Sequence, residues 1–412
     1  MSFEQGLSGL SAAAKNLDVI GNNVANTNTV GFKSSSVHFA DIYAGAAGSV
    51  GANDAGIGTR VSAIAQSFGQ GSLTATSNPL DMAINGSGFF RLSDAGAITF
   101  SRNGQFHLDK SGYVVNDNGA RLTGYPAGPT GIVPTASPSE LLISQADVAP
   151  LPTGKVDAIV GLDSRAAAMV SASFDPANSA TYNFATSTSV YDSLGNSHAL
   201  SMYFVPTGPS TTGENQWDVF ATNDGTAVGA GALGTLTFGS DGLIDITATS
   251  LPFAISTPIG GGAVTPLALK LDFTGSTQFG TKSGVNLLKQ DGYTSGRLSS
   301  YTVSDDGIIL GRYSNGQTKD LAQIALANFT SPEGLAPLGN NVWAESSKSG
   351  PPLVGAPGSA SLGSLQAGTV EESNVDLTAE LVNMITAQRN YQANAQTIKT
   401  QDQLMQTLVN LR

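Results

Sequence analysis

Few residues in this 412-residue chain are of types suited to chemistry. There are three histidines, His38, His107 and His198, and no cysteine, which excludes disulfides, thiolate metal sites and cysteine nucleophiles. The histidines lie far apart and none falls in a His-x-x-x-His arrangement, so packing or solvent exposure is favoured over a zinc site. Asn116-Asp117-Asn118-Gly119 and Asp305-Asp306-Gly307 have calcium-loop chemistry, but neither continues into the roughly twelve-residue loop with its closing Glu. Both read as turns. Gly86-Ser87-Gly88 lacks the rest of a phosphate-binding loop. Carboxylates are plentiful, yet no spacing marks two of them as a glycosidase pair. Trp217 and Trp343 read as strand-face packing rather than a sugar platform. The expectation is a chain that is not an enzyme and that has no catalytic, cofactor or metal site.

Composition narrows the class further. Only 12% of residues are charged, against a typical share of roughly 25%, and 7% are aromatic, while Gly (49) and Pro (18) are frequent. Such a chain suits many short strands and turns, and its length implies two or three domains. The net charge of −12 argues against a nucleic-acid partner, because phosphate binding needs clustered Lys and Arg. Eleven acidic and four basic residues fall between Asp147 and Lys282, so −7 of that charge sits in one stretch, read as a solvated outer module. No segment approaches the roughly 18 apolar residues of a membrane span, and no membrane insertion is expected. Met1 to Leu10 has neither the basic nor the continuous apolar region of a cleaved signal peptide.

The elements that would position anything lie at the two ends. Ser2 and Gln5 have the spacing of a capping box. Apolar or small residues then recur at Phe3, Leu7, Leu10, Ala14, Leu17, Gly21 and Val24, in alternating steps of four and three that predict a heptad seam. From Glu371 to the end there is no Gly or Pro, with Ser373, Asn374 and Asp376 as cap candidates. Leu377, Leu381, Met384, Tyr391, Ala395, Ile398 and Met405 follow the same ladder, interrupted by Gln388 and Asp402; Leu404, Leu408 and Leu411 widen its apolar face. Two such helices invite mutual packing, and their remaining apolar edges call for neighbouring copies. The residues expected to carry subunit assembly are Phe3, Leu7, Leu10, Leu17, Val24, Leu377, Leu381, Met384, Tyr391, Ile398, Met405 and Leu408.

Between the ends, eight Asn-Gly and Asp-Gly pairs flanked by strand-like runs predict hairpins. The expected fold is mainly β with long terminal α-helices and nested domains. A terminal helical coiled coil (1–28 and 371–412) is followed by connectors (29–70 and 351–370). An inner antiparallel β domain (71–145 and 285–350) then encloses an outer antiparallel β domain (146–284).

Three passages stand out: Gly9-Leu10-Ser11-Ala12 to Lys33, containing Gly21-Asn22-Asn23-Val24-Ala25-Asn26 and Thr29-Val30-Gly31-Phe32-Lys33; Leu80 to Phe90; and Ser373-Asn374-Val375-Asp376-Leu377 through Arg389-Asn390-Tyr391 to Asn394. Together they resemble the rod and hook axial proteins of the bacterial flagellum. Thr188 to Gly195, His198 to Phe204 and Leu271 to Phe279 resemble the outer strands of hook subunits, which favours hook over a distal rod-type protein. The resemblance implies a homopolymer of many copies forming a curved, flexible tube that passes torque from motor and rod to filament. It further implies rod and hook–filament junction proteins, the hook cap and the flagellar type III export apparatus as partners. The implied location is the hook, outside the cell, reached without a cleaved signal peptide. A secreted β-rich adhesin or fibre subunit is the alternative from another class.

Overall fold

The structure, a computed structural model, describes residues 2–42, 56–128, 131–133, 137–209 and 213–410. Helix α1 (Ser2–Ala25) opens the chain, helix α2 (Leu377–Asn410) closes it, and the segments between are β. Asp376 starts α2: its Oδ1 accepts hydrogen bonds from the Thr378 and Ala379 amides at 2.9 and 3.1 Å. The side chain of Gln5 does not serve a capping box. It reaches sideways and donates to the Gly56 carbonyl at 2.6 Å. No helix among the described residues is long and apolar enough to cross a membrane.

The chain divides into two compact units. The first comprises Met1–Gln145, Ser300–Arg312 and Thr318–Arg412. Its main sheet runs in the order Thr318–Ile324, Arg121–Gly128, Phe89–Asp94, Ala97–Ser101, Val342–Ala344, Ala336–Gly339, and all of these pairings are antiparallel. Phe89, Phe100, Phe329 and Trp343 pack beneath it with Phe68 at their edge. Their rings meet edge-on at 4.7–6.0 Å, the arrangement the aromatic quadrupole prefers.

The second unit comprises Ala146–Ser299 and Tyr313–Gln317. Two five-stranded sheets face each other across one apolar core. Strand Lys155–Asp163 shows why: Val156, Ala158, Val160 and Leu162 alternate inward at period two, and all are buried. Trp217 lies in this core. One sheet is wholly antiparallel. In the other, Lys155–Asp163 pairs parallel with both Leu267–Asp272 and Thr277–Phe279, so that sheet is mixed. Strand Gly284–Gln290, expected in the inner domain, instead lies antiparallel against Lys155–Asp163 and belongs to this unit. The Gly-rich break before it is a turn within the sheet, not a boundary.

The stretch 29–70, read as a connector, holds an antiparallel hairpin of Ser35–Ile42 with Gly58–Gln66; its tip lies outside the described residues. Stretch 351–370 likewise contributes short strands, Leu353–Gly355 and Ser364–Ala367, which pair with Leu326–Asn328 and Met82–Asn85. Leu365 is buried and Val354 packs against the aromatic cluster, so apolar burial as well as backbone pairing holds these strands. Of the Asx-Gly pairs, those ending in Gly86, Gly119, Gly225, Gly242, Gly307 and Gly316 have the positive φ of tight turns. Gly104 does not, and is glycine for another reason: a Cβ there would overlap the Met82 carbonyl oxygen.

Candidate assembly interface of the terminal helices

The two terminal helices pair antiparallel. Asn23, near the end of α1, meets Glu380 near the start of α2, whereas Gly6 and Gly9 meet Ile398 and Asn394. A Cβ on Gly6 would lie 3.0 Å from Ile398 Cγ1, and one on Gly9 2.8 Å from Asn394 Oδ1, so the backbones approach as closely as glycine allows. The stripe that faces α2 is Gly6, Gly9, Ala13, Asn16, Ile20 and Asn23, which keeps heptad spacing and is buried or half-buried throughout. Opposite it, Ala387 is buried, and Glu380, Met384, Asn394 and Ile398 are half-buried.

This stripe lies one residue, about 100° of rotation, from the ladder of large apolar residues read in the sequence. Of that ladder, Phe3, Leu7, Leu377, Leu381, Tyr391 and Met405 remain 37–62% exposed. Leu10, Leu17, Val24, Met384 and Ile398 are half-buried, and the side chain of Leu408 lies outside the described residues. The expected packing of ladder on ladder is therefore corrected. Close approach favours the small residues of α1, which meet Ile398 of the ladder, while Phe3, Leu7, Leu377, Leu381, Tyr391 and Met405 are left facing out. Exposed Val382 and Ile385 extend the Leu377–Leu381 row at steps of one and four, a pattern that sequence reading passed over.

The hairpin lies along α1. The Thr59 amide donates to Ser8 Oγ at 3.3 Å, and a Cβ on Gly58 would overlap that hydroxyl. Between hairpin and helices runs a groove of about 450 Å³, lined by Gly9, Ala12, Ala13, Phe39, Ala387 and Ala393 among others. Glycine and alanine make up half of its lining, and Asn16, Asn390 and Asn394 add polar groups beside Phe39 and Thr59.

The residues of the terminal sequence motifs converge where the helices join the β body. Asn23 Oδ1 accepts from the Ser35 amide at 2.9 Å while its Nδ2 donates to the Ser35 carbonyl at 2.8 Å. Asn374 accepts from the Ser34 amide at 2.7 Å and donates to the carbonyls of Ser67 and Gly69. At the centre is Glu371, whose side chain is fully buried. Its Oε1 meets Lys33 Nζ at 2.6 Å and its Oε2 meets Arg102 Nη1 at 3.2 Å. Lys33 also donates to the Gly69 carbonyl at 2.7 Å, and Arg102 donates to the Gly86 carbonyl at 2.9 Å and covers the Phe89 ring. Burial pushes the Lys33 ammonium and the Arg102 guanidinium below their usual ranges, and the Glu371 carboxylate opposes this in both. Three charges from segments far apart in sequence thus share one dry site. Sequence reading missed it, because nothing local marks a lysine or glutamate for burial.

The residues of chemical type are placed otherwise. His38 and His107 are exposed. His198 lies between Asp224 and buried Asp192, at 2.6 and 3.4 Å on opposite sides of the ring, a geometry that pairs charges and leaves no nitrogen for a metal. Among the described residues no cluster of three His, Asp or Glu side chains is placed to hold a metal ion. A cavity of about 660 Å³ in the second unit is walled by Phe174, Phe220 and the Val228–Ala232 loop, and no charged side chain lines it.

Comparison with known proteins follows the same segments. Residues 3–33 match the model described as flagella basal body rod protein, and 83–148 the flagellar hook protein FlgE/F/G D1 domain. Residues 161–293 match the flagellar basal body protein FlaE D2 domain, and 366–411 the flagellar basal body rod FlgEFG protein C-terminal region. The chain is 44% identical to the flagellar hook protein FlgE of Escherichia coli (strain K12), with all of both chains covered. It is 34% identical to that of Borreliella burgdorferi, covering 100% of this chain and 99% of the relative. Its fold is similar to the crystal structure of Helicobacter pylori flagellar hook protein FlgE2, with TM-score 0.54, 15% identity, and coverage of 71% and 99%.

Proposed function

The chain belongs to the flagellar hook protein family and is a structural subunit of the hook, and from that premise we propose that its paired terminal helices form the wall of the hook tube. The observation that carries this reading is the unpaired apolar surface of the helix pair. Phe3 and Leu7 on α1, and Leu377, Leu381, Val382 and Ile385 on α2, stay exposed after the helices have packed on each other. Contact between such a row on one copy and a different surface on the next is heterologous. Repeated without closure, a heterologous contact generates a helical polymer. The groove beside Gly9 and Ala13, lined largely by small residues, offers a recess that large side chains of a neighbouring copy would enter.

In this arrangement the helices lie innermost, the first β unit gives each subunit a rigid body, and the second unit faces solvent, where its acidic excess costs least. The curved tube bends as a universal joint, passing torque from rod to filament. It joins rod proteins at one end and hook–filament junction proteins at the other, and it grows beneath a hook cap. Subunits leave the cell through the flagellar type III apparatus without cleavage of a signal peptide.

Electron microscopy of the purified full-length chain tests the wall. Short curved tubes are expected from the native chain. Leu381→Asp with Ile385→Asp should abolish them while leaving the circular dichroism of the β units unchanged. Tubes of normal length from that double variant would refute the assignment.

A further inference from the structure

The same turn closes two hairpins. Asn116-Asp117-Asn118-Gly119-Ala120 joins Val114–Val115 to Arg121–Gly128, and Tyr313-Ser314-Asn315-Gly316-Gln317 leads from Ile308–Tyr313 into Thr318–Ile324. Their backbones match. Gly119 and Gly316 stand at φ +81° and +79°, and their amides donate to the Asn116 and Tyr313 carbonyls at 2.9 and 3.0 Å. The asparagine side chains do not match. In the first turn Asn116 Oδ1 already receives the Asn118 and Ala120 amides, at 3.1 and 2.9 Å, so Asn118 is left with no turn contact to make. Asn118 is exposed, and its side chain makes no hydrogen bond among the described residues. In the second turn a tyrosine stands at the opening position, and Asn315 fastens the turn instead. Its Oδ1 accepts from the Gln317 amide at 3.1 Å and its Nδ2 donates to the Thr294 carbonyl at 2.7 Å. It also lies against Gly296, where a Cβ would come within 2.6 Å of Asn315 Cγ.

We propose that Asn118 is a site of spontaneous deamidation and that Asn315, in the same turn, is clamped out of that reaction. The deprotonated Gly119 amide nitrogen attacks Asn118 Cγ. A bond from that nitrogen to Cγ forms, the Cγ–Nδ2 bond breaks, and Nδ2 leaves as ammonia with the proton. Water then opens the succinimide at either carbonyl, giving aspartate or, with the chain rerouted through the β-carbon, isoaspartate. Glycine leaves the attacking nitrogen uncovered, and a Cβ on Gly119 would meet nothing within 4 Å. Asn118 Cγ swings to that nitrogen once the turn bond common to both hairpins opens. Asn315 must break two further hydrogen bonds, which slows it by about tenfold. Gly104 is buried, and Asn85-Gly86 meets Ser364 and Gln70 on the segments leading to the terminal helices, so neither pair is a matched control. Conversion places a new negative charge next to Asp117, whose Oδ1 lies 3.8 Å from His107 Nδ1. Copies in a polymer convert independently, so the converted fraction marks the age of the assembly. The inference does not depend on which surfaces form the tube wall.

Peptide mapping by mass spectrometry reads both sites in one sample of the native full-length subunit, kept folded at mildly alkaline pH. Asn118 should convert about tenfold faster than Asn315, and an isoaspartyl methyltransferase should label the Asn118 peptide. Gly296→Ala tests the clamp, because its Cβ must push the Asn315 amide away from Thr294. Asn315 should then speed up by about tenfold while Asn118 keeps its native rate. An unchanged thermal transition of Trp217 fluorescence would show that the gain is not unfolding. The proposal is overturned if Asn118 stays intact while a free peptide of the same sequence converts, or if Asn315 keeps pace with Asn118 in the native chain. A folded Gly296→Ala chain in which Asn315 remains slow overturns the clamp. The native-chain comparison decides by itself where that variant is unstable.

Discussion

His198 ties two turns of the second unit together. Its Nδ1 bonds Asp224 Oδ2 at 2.6 Å and its Nε2 faces Asp192 Oδ2 at 3.4 Å. The hydrogen bond to Asp224 raises its pKa; burial works the other way, and Asp192 adds to the rise. Burial also opposes ionisation of Asp192. Hydrogen bonds from the Asn196 side chain and backbone, the Leu194 amide and His198 nevertheless bring it down to about 2. The signs then follow. The imidazolium's stabilising contribution is complete below the ordinary histidine value near 6.5 and is lost as pH rises through the higher folded value. The Asp192 contribution is present above 3.8 and fades as pH falls towards 2. Thermal unfolding followed by Trp217 fluorescence should therefore show His198→Asn lowering Tm by about 2–6 °C at pH 5.5. At pH 9 the variant and native values should converge. An equal deficit at both pH values would mean that the ring acts by packing alone.

The helix pair is governed by what its glycines leave out. Gly9→Leu adds up to about 1 kcal/mol of intrinsic helix propensity to α1. The new side chain must nevertheless enter space occupied by Asn394, and overpacking of that kind costs about 1–3 kcal/mol. The variant should lose helix-pair stability, read as faster amide exchange along α1; slower exchange would show that the seam lies elsewhere. The same residues explain how legible the fold was. Both helices, the Asp376 cap and most Asx-Gly turns could be read, because each rests on local hydrogen bonds or on strong periodicity. The seam could not. Hydropathy gives weight to Phe3 and Leu7, while Gly6, Gly9 and Ala13 carry almost no such signal although they make the contact. The hairpin was hidden for a related reason: Val37, Phe39, Val61 and Ile64 are strand formers set among Ser, Ala and Gly, and α1 and the Asn23 side chain hold its backbone. Strand Gly284–Gln290 was assigned to the wrong side of a glycine-rich turn because its partner, Lys155–Asp163, is remote in sequence.

At the scale of the whole molecule, the two units differ in how far the chain must travel to close them. The second unit makes its core almost entirely within Ala146–Ser299, whereas the first joins Leu73–Ala75 to Thr369–Glu371 and Met82–Asn85 to Ser364–Ala367. Distant pairings form late, because loop closure must precede the contacts that reward it. Each unit carries one tryptophan, Trp217 in the second and Trp343 in the first, so Trp343→Phe and Trp217→Phe chains report on one unit each. In stopped-flow refolding the Trp217 signal should recover before that of Trp343; the reverse order would reject topology as the controlling factor. The terminal helices have a further consequence that lies in their formal charges. Helix α1 carries Glu4, Lys15 and Asp18 among 24 residues, and α2 carries Glu380, Arg389, Lys399 and Asp402 among 34. Counter-ions act on long-range fields, and so sparse and balanced a set of charges offers them little to screen. Cohesion along the proposed wall should answer instead to the structure of water, tuned by temperature and excluded solutes far more than by the saltiness of the medium in which a cell swims.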